Sequence, residues 1–443
     1  MHIFSFALIF LAPLFAYDKE IKVSTLDSAY TRLFLDSLLE NQSSYSLEYH
    51  LISFNKKRNE SYYKLMDEGK LADSLILVSN DQLNEQISKK ILQPFRNLNI
   101  GRQFSLIGDD ILLKYYFVND VPQFQYKVFG KEGLAALIFL KTEFNSFLTG
   151  SFGMSRINGQ MDIFGEIDLS IENFTKNAEK FEIFWKKDGQ ISQKINLRSF
   201  YPHFLGYDLG FLIQYHFENY NALFTRSEKR IMLNTFLPIL NKTKVGYLSG
   251  NFFATNFGKE SGYRDGEYLA VSFSSQLDTR NQRLLPYEGK FFNIIIDGGL
   301  EKKSIYFKTT FEYHLYFNLI HATFAKFQTN IYDITYLNGA VPKSRYFKLG
   351  GSSTLRGFDE NSFLYPRFHV FTFELINQQK RPIQLKTFVD IGSNKFMSFK
   401  EYLYGYGFGF KQLNDKTIIS VDYSLSSYKW QRGKIHLKWS ARL

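Results

Sequence analysis

The chain has 443 residues, no cysteine, a net charge of +11, 18% aromatic residues and a mean hydropathy of −0.23. Without cysteine it forms no disulfide, offers no thiolate to a metal and carries no lipid on an N-terminal cysteine. No segment beyond the N-terminus approaches the run of about 18 apolar residues that a membrane helix needs, so a helical membrane bundle is excluded. The 47 Phe and 29 Tyr are too many for an ordinary soluble surface, and the interfacial girdles of a transmembrane β-barrel would use them. The lysines are scattered, which reads as loops and lumen meeting anionic lipid headgroups and not as a nucleic-acid footprint.

Residues 1–16 read as a secretory signal peptide, with an apolar run from Ile3 to Phe15 and Ala16 before the expected cut. Its n-region lacks Lys and Arg, and Leu14 is large for its position. Residues 17–70 read as a shortened or irregular unit: a strand over Glu20–Ser24, a helix over Tyr30–Glu40 and a second helix around Tyr62–Glu68. Residues 71–144 follow the order strand, helix, helix, strand, strand. The spans are Leu71–Ser79, Leu83–Phe95, Ile107–Phe117, and a hairpin of Gln123–Phe129 and Leu134–Phe144 around Gly130-Lys131-Glu132-Gly133.

Residues 145–443 alternate apolar and polar positions with a period of two. About sixteen segments qualify as strands. The first eight are 146–155, 160–171, 179–187, 190–200, 206–219, 225–235, 243–254 and 267–278. The rest are 288–299, 305–317, 320–332, 366–377, 382–391, 402–411, 416–425 and 433–443. Each is close to the length of a tilted membrane strand, and an even count suits an antiparallel transmembrane β-barrel. The last is the plainest, with Ile435, Leu437, Trp439, Ala441 and Leu443 on one face and Lys434, His436, Lys438, Ser440 and Arg442 on the other. Residues 333–365, between the eleventh and twelfth segments, form an inserted loop. If the N-terminal region is periplasmic, the short even-to-odd connections are periplasmic turns and this loop lies outside.

The same alternation assigns faces. Phe371, Phe373 and Leu375 face lipid, which leaves Glu374 luminal; Asp390 is luminal opposite Val389. In the fourteenth segment the aromatic residues Tyr402 to Phe410 point outward and Gly405, Gly407 and Gly409 point inward, leaving room for a loop to fold back inside. Arg356 is then either paired to Asp390 through two N–H···O bonds that lysine cannot reproduce, or one of several charges solvating the lumen. Loss of one partner costs about 3–5 kcal/mol if the pair is shielded from water, and about 1 kcal/mol or less in a wet lumen. The first segment is rich in Ser, Gly and Thr and offers only Leu148, Phe152 and Met154 to lipid, so its pairing with the last is expected to be loose.

No HExxH, GxSxG, P-loop or cysteine nucleophile is present, and the eight His are dispersed. Neither enzymatic activity, a metal nor a cofactor is expected.

These motifs together resemble the BamA/TamA superfamily of outer-membrane assembly and translocation barrels. Residues 71–144 match the β-α-α-β-β order of a POTRA domain, and Asp278-Thr279-Arg280 with Pro286 and Gly289 resembles the family's turn between strands 8 and 9. Phe347 to Phe358, ending Leu355-Arg356-Gly357-Phe358, resembles the sixth outer loop; Phe388-Val389-Asp390-Ile391-Gly392 resembles the strand 13 motif that receives its arginine. The resemblance implies a POTRA-bearing periplasmic region before a 16-strand outer-membrane barrel. It implies insertion of unfolded β-barrel clients through a lateral seam, assisted by accessory lipoproteins. The other function it implies is export of a partner polypeptide through the lumen, as in two-partner secretion. A passive porin would have no use for the Leu355–Phe358 loop.

Overall fold

The computed structural model describes residues 20–24, 29–31, 33–35, 47–67, 71–100, 104, 108, 112, 115–118, 120–129, 133–157, 160–188, 192–204, 209–234, 243–282, 285–320, 322–351, 354–378, 383–395, 402–414, 417–426 and 433–443. Of 47–48, 66–67, 129, 151–157, 160–164 and 188 it describes the backbone alone. The expected signal peptide and the Gly130-Lys131-Glu132 turn lie outside these residues. The chain falls into two compact units. One comprises Met1–Val78, Leu92–Leu112 and Val121–Leu140; the other comprises Ser79–Ile91, Leu113–Asp120 and Lys141–Leu443.

The first small sheet contains β1 (Glu20–Val23), β2 (Leu47–Asn55) and β3 (Glu60–Asp67) in the order β1-β3-β2, all antiparallel. The second helix expected around Tyr62–Glu68 is therefore wrong over its described residues, which belong to the central strand of this sheet. Tyr62, Leu65 and Met66 have helical spacing, but Asn55 accepts from the N–H groups of Lys57 and Arg58 (3.1 and 3.3 Å) and turns β2 into a hairpin with β3. Residues 29–31 and 33–35 are helical; residues 36–40 of the expected first helix are not among those described.

A second sheet has the order β4-β6-β5, from β4 (Ser74–Ser79), β5 (Gln123–Phe129) and β6 (Gly133–Leu140). Helix α1 (Glu85–Leu92) continues into a 3-10 turn, Gln93–Phe95, and its start is marked by Asn84 Oδ1 accepting from Gln86 N at 2.9 Å. Of the expected helix 107–117, residues 108 and 112 are helical and 115–117 form a turn; the others lie outside the described set. Phe95, Phe104 and Phe124 cluster at ring separations of 5.3–5.9 Å. The last strand stops at Leu140, short of the expected Phe144. Beyond it, Thr142 N donates to Asn80 Oδ1 (2.7 Å) and Glu143 N to Phe117 O (2.8 Å), so those amides leave the ladder.

The rest is a closed barrel of sixteen antiparallel strands. Strands β7 to β14 are Phe147–Ile157, Gln160–Glu172, Lys180–Asp188, Ser192–Tyr201, Gly210–Tyr220, Phe224–Asn234, Lys244–Ala254 and Gly266–Asp278. Strands β15 to β17 are Gly289–Glu301, Ser304–Ile320 and Thr323–Tyr336. The inserted loop carries two short strands of its own, β18 (Phe347–Leu349) and β19 (Phe363–Tyr365). The wall resumes with β20 (Arg367–Asn377), β21 (Ile383–Ser393), β22 (Leu403–Leu413), β23 (Thr417–Leu425) and β24 (Lys434–Arg442). Alternate side chains face outward as expected: Ile435 and Leu437 are 72% and 66% exposed, whereas Asp390 is 1% exposed. An apolar exterior over a polar interior is the arrangement lipid requires.

The turn joining β14 to β15 holds the Asp278-Thr279-Arg280 motif. Arg280 Nε and Nη2 donate to Asp278 Oδ1 and Oδ2 at 2.8 and 2.6 Å, and its guanidinium lies 4.7 Å from the Phe291 ring centroid. Gly289 has φ +104°, and a Cβ there would stand 2.2 Å from Thr279 O. Gly289→Ala is expected to destabilise the barrel by about 1–3 kcal/mol, seen as a lower temperature at which unheated protein loses its compact band on a detergent gel.

Candidate functional site in the barrel lumen

The chain between Tyr336 and Arg367 folds into the barrel. Its limb carries a 3-10 turn, Lys343–Arg345, and the short hairpin in which β18 pairs with β19. At the tip, Gly351 N donates to Leu355 O at 3.1 Å and Gly350 N to Thr354 Oγ1 at 2.8 Å. Leu349 and Leu355 are buried with Phe368 and Val370 of β20, and Phe358 and Phe363 pack against that cluster. Phe358 is thus an anchor for the tip, while Gly357, at φ +90°, lies where a Cβ would be 2.6 Å from Leu425 C. No larger residue fits there.

This folding delivers Arg356 to the wall. Its Nε and Nη2 donate to Asp390 Oδ2 and Oδ1, each at 2.7 Å, and its backbone N–H reaches Asp390 Oδ2 at 3.1 Å. Nη1 donates to Glu374 Oε1 at 2.8 Å and lies 3.7 Å from Asp422 Oδ2. The guanidinium also lies 3.5 Å from the centroid of the Phe388 ring. Thr372 Oγ1 donates to Asp390 Oδ1 at 2.8 Å and orients the receiving carboxylate. Lys326 and Lys386 balance the surplus acid, at 3.5 Å from Glu374 and 2.9 Å from Asp422. With side-chain exposures of 9% for Arg356 and 1% for Asp390, the pair is shielded from water, not wet.

The glycines have distinct tasks. A Cβ on Gly405 would stand 1.9 Å from Arg356 O, so this position gives the loop backbone its seat. Gly407 and Gly409 make room for the wall: added Cβ atoms would meet Phe388 Cζ at 2.8 Å and Asp422 Oδ1 at 2.0 Å. Gly392 leaves space for Phe368 and for Leu355 Cδ1, which a Cβ would approach to 3.2 Å. Sequence reasoning missed two members of the site, Asp422 and Thr372. Their signal was present, because Asp422 and Thr372 sit at inward positions and pair in register with Gly409 and Asp390. Among the described residues no cluster of His, Cys, Asp and Glu suits a metal ion.

Comparison with known families places the Omp85 superfamily domain on residues 173–412, more than half of the chain. The chain belongs to the Omp85 superfamily. Solved Omp85-like structures share its fold at low identity. BamA from Haemophilus ducreyi lacking POTRA domains 1–3 is 12% identical, with 93% of each chain covered and a TM-score of 0.54. CdiB from Acinetobacter baumannii is 16% identical over 92% of this chain and 80% of its own, with a TM-score of 0.56. CdiB from Escherichia coli is 12% identical over 94% and 83%, with a TM-score of 0.57. No curated protein sequence matches the chain. Omp85 barrels belong to the bacterial outer membrane, and their members are transporters and assembly factors.

Arg356→Ala is expected to loosen the loop by about 3–5 kcal/mol, because it leaves Asp390 buried and unpaired. External protease should then cleave the loop in intact cells where the parent resists. Gly405→Ala should give the same cleavage with Arg356 still present, because the added methyl displaces the arginine's backbone.

Proposed function

We propose that this Omp85 barrel is an outer-membrane assembly factor that inserts client β-barrels through a seam opening between β24 and β7. The observation that carries the reading is the length of that seam. Among the described residues, β24 and β7 register over three pairs: Ser440 with Thr149, Ala441 with Leu148 and Arg442 with Phe147. Every other neighbouring pair in the barrel registers over at least eight. Backbone hydrogen bonds contribute about 0.5–1.5 kcal/mol each, so this junction opens for far less than any other. Opening frees a strand edge that templates an incoming strand.

The N-terminal region is read as POTRA-like and periplasmic, delivered there by the signal at residues 1–16. Its two sheets leave β1, β2, β4 and β5 at their edges, where unfolded clients or accessory lipoproteins add a strand. The Arg356 contact holds the loop inside while the seam works. A second reading, a translocation pore for a partner polypeptide, is favoured by the lumen. A cavity of about 1120 Å³ beside the loop is lined by charges of both signs, among them Glu166, Lys186, Glu218, Arg226, Lys348 and Asp422.

Thr149 Oγ1 and Ser440 Oγ already touch at 2.6 Å across the seam, so Thr149→Cys with Ser440→Cys places two thiols where they can join. Oxidation of this pair in living cells is expected to stop client-barrel assembly, and reductant should restore it. If assembly continues with the seam locked, the pore reading takes its place, and a polypeptide exported through the locked barrel is then sought.

A further inference from the structure

The tip arginine is one of two that the loop buries. Arg345, on the limb leading from β17, leaves 3% of its side chain exposed. Its guanidinium carbon lies 3.6 Å from the ring centroid of Tyr268 on β14 and 4.6 Å from that of Tyr306 on β16. Nε is 3.5 Å from Glu301 Oε2 on β15, the carboxylate oxygen that also accepts from the Tyr336 hydroxyl on β17. The cage is itself held in place. Gly250 on β13 leaves space for the Tyr268 ring, which an added Cβ would approach to 2.2 Å, and the Tyr268 hydroxyl donates to Glu228 Oε2 at 2.9 Å. Val341 and Phe347 of the loop pack against the same cluster of Leu248, Tyr268, Tyr306 and Ile334.

The groups that contact the two arginines differ: Tyr268, Glu301 and Tyr306 for Arg345, and Glu374, Phe388, Asp390 and Asp422 for Arg356, while Phe347 packs against both clusters. The two grips also differ in quality. Arg356 is satisfied by two carboxylates, whereas Arg345 Nη2 is buried without a hydrogen-bond partner among the described residues. A planar guanidinium stacks on tyrosine faces in a way that an ammonium does not. We propose that Arg345 is a second positioning residue, a separate and weaker latch that holds the limb to the β14–β17 wall. Each latch holds its own part of the loop, so release of Arg356 frees the tip and release of Arg345 frees the limb. This inference rests on the reading of Arg356 as the tip's lock.

The cysteine-free chain allows a direct test in outer membranes. Ser344→Cys puts a reporter thiol on the limb and Leu355→Cys puts one at the tip; these positions are 4% and 0% exposed in the parent. Arg345→Ala is expected to speed labelling of the limb thiol by a water-soluble maleimide about tenfold or more while the tip thiol stays protected. Arg345→Lys should give an intermediate rate. Tyr306→Leu removes half of the cage without touching the loop and should act as Arg345→Ala does; the compact gel band confirms assembly of each variant. Protection of the limb thiol equal to the parent's in both Arg345→Ala and Tyr306→Leu overturns the proposal. So does an Arg356→Ala variant that labels the limb thiol as fast as a variant carrying both Arg345→Ala and Arg356→Ala, since Arg345 then holds nothing by itself. Failure of the Arg356 reading shows separately, as a tip thiol that stays protected in Arg356→Ala.

Discussion

In the hydrocarbon of a bilayer no water is available to a peptide group, and each unpaired N–H or C=O costs several kcal/mol. That constraint closes the sheet of this protein on itself and leaves sixteen strands with no free edge. It also gives the seam its meaning. Where β24 meets β7 the ladder shrinks to three pairs, reinforced by one luminal contact between Thr149 and Ser440 and by Leu443 N donating to Ser146 O at 2.9 Å. The junction satisfies the constraint at its thinnest margin.

A closed barrel has an interior, and the interior must be filled or solvated. Here it is occupied by a loop that brings its own charges. Burying Arg356 and Arg345 is tolerable because each meets groups already placed on the wall: carboxylates from β20, β21 and β23 in one case, tyrosine faces and a carboxylate in the other. The wall makes space by omission. Gly405, Gly407 and Gly409 form an inward stripe in a strand whose outward face is aromatic, so one segment supplies both the lipid girdle and the socket.

Much of this was legible in advance. Strand alternation over residues 145–443 marked sixteen segments whose ends fall within a few residues of the observed strands, because each face meets a different solvent. The Arg356, Asp390 and Glu374 geometry followed from parity plus the motif. Asp422 was overlooked because no local motif marks it; it matters only because β23 lies next to β22. Arg345 was missed for a similar reason, since its partners come from four strands spread across some seventy residues. The apolar spacing of Tyr62–Asp67 fits a helix as well as a strand, and the turn made by Asn55 decides for the strand.

By itself, the sequence determined which faces meet lipid and which meet the lumen, how many strands there are, and that the loop carries an arginine whose acids wait inside. Those are consequences of local periodicity, which a chain expresses before it folds. Only the tertiary structure decided how far the last strand pairs with the first, which glycine seats the loop and which two merely accommodate the wall, and where the second buried arginine finds its cage. These depend on register and on contacts between strands distant in sequence, and no local pattern encodes them.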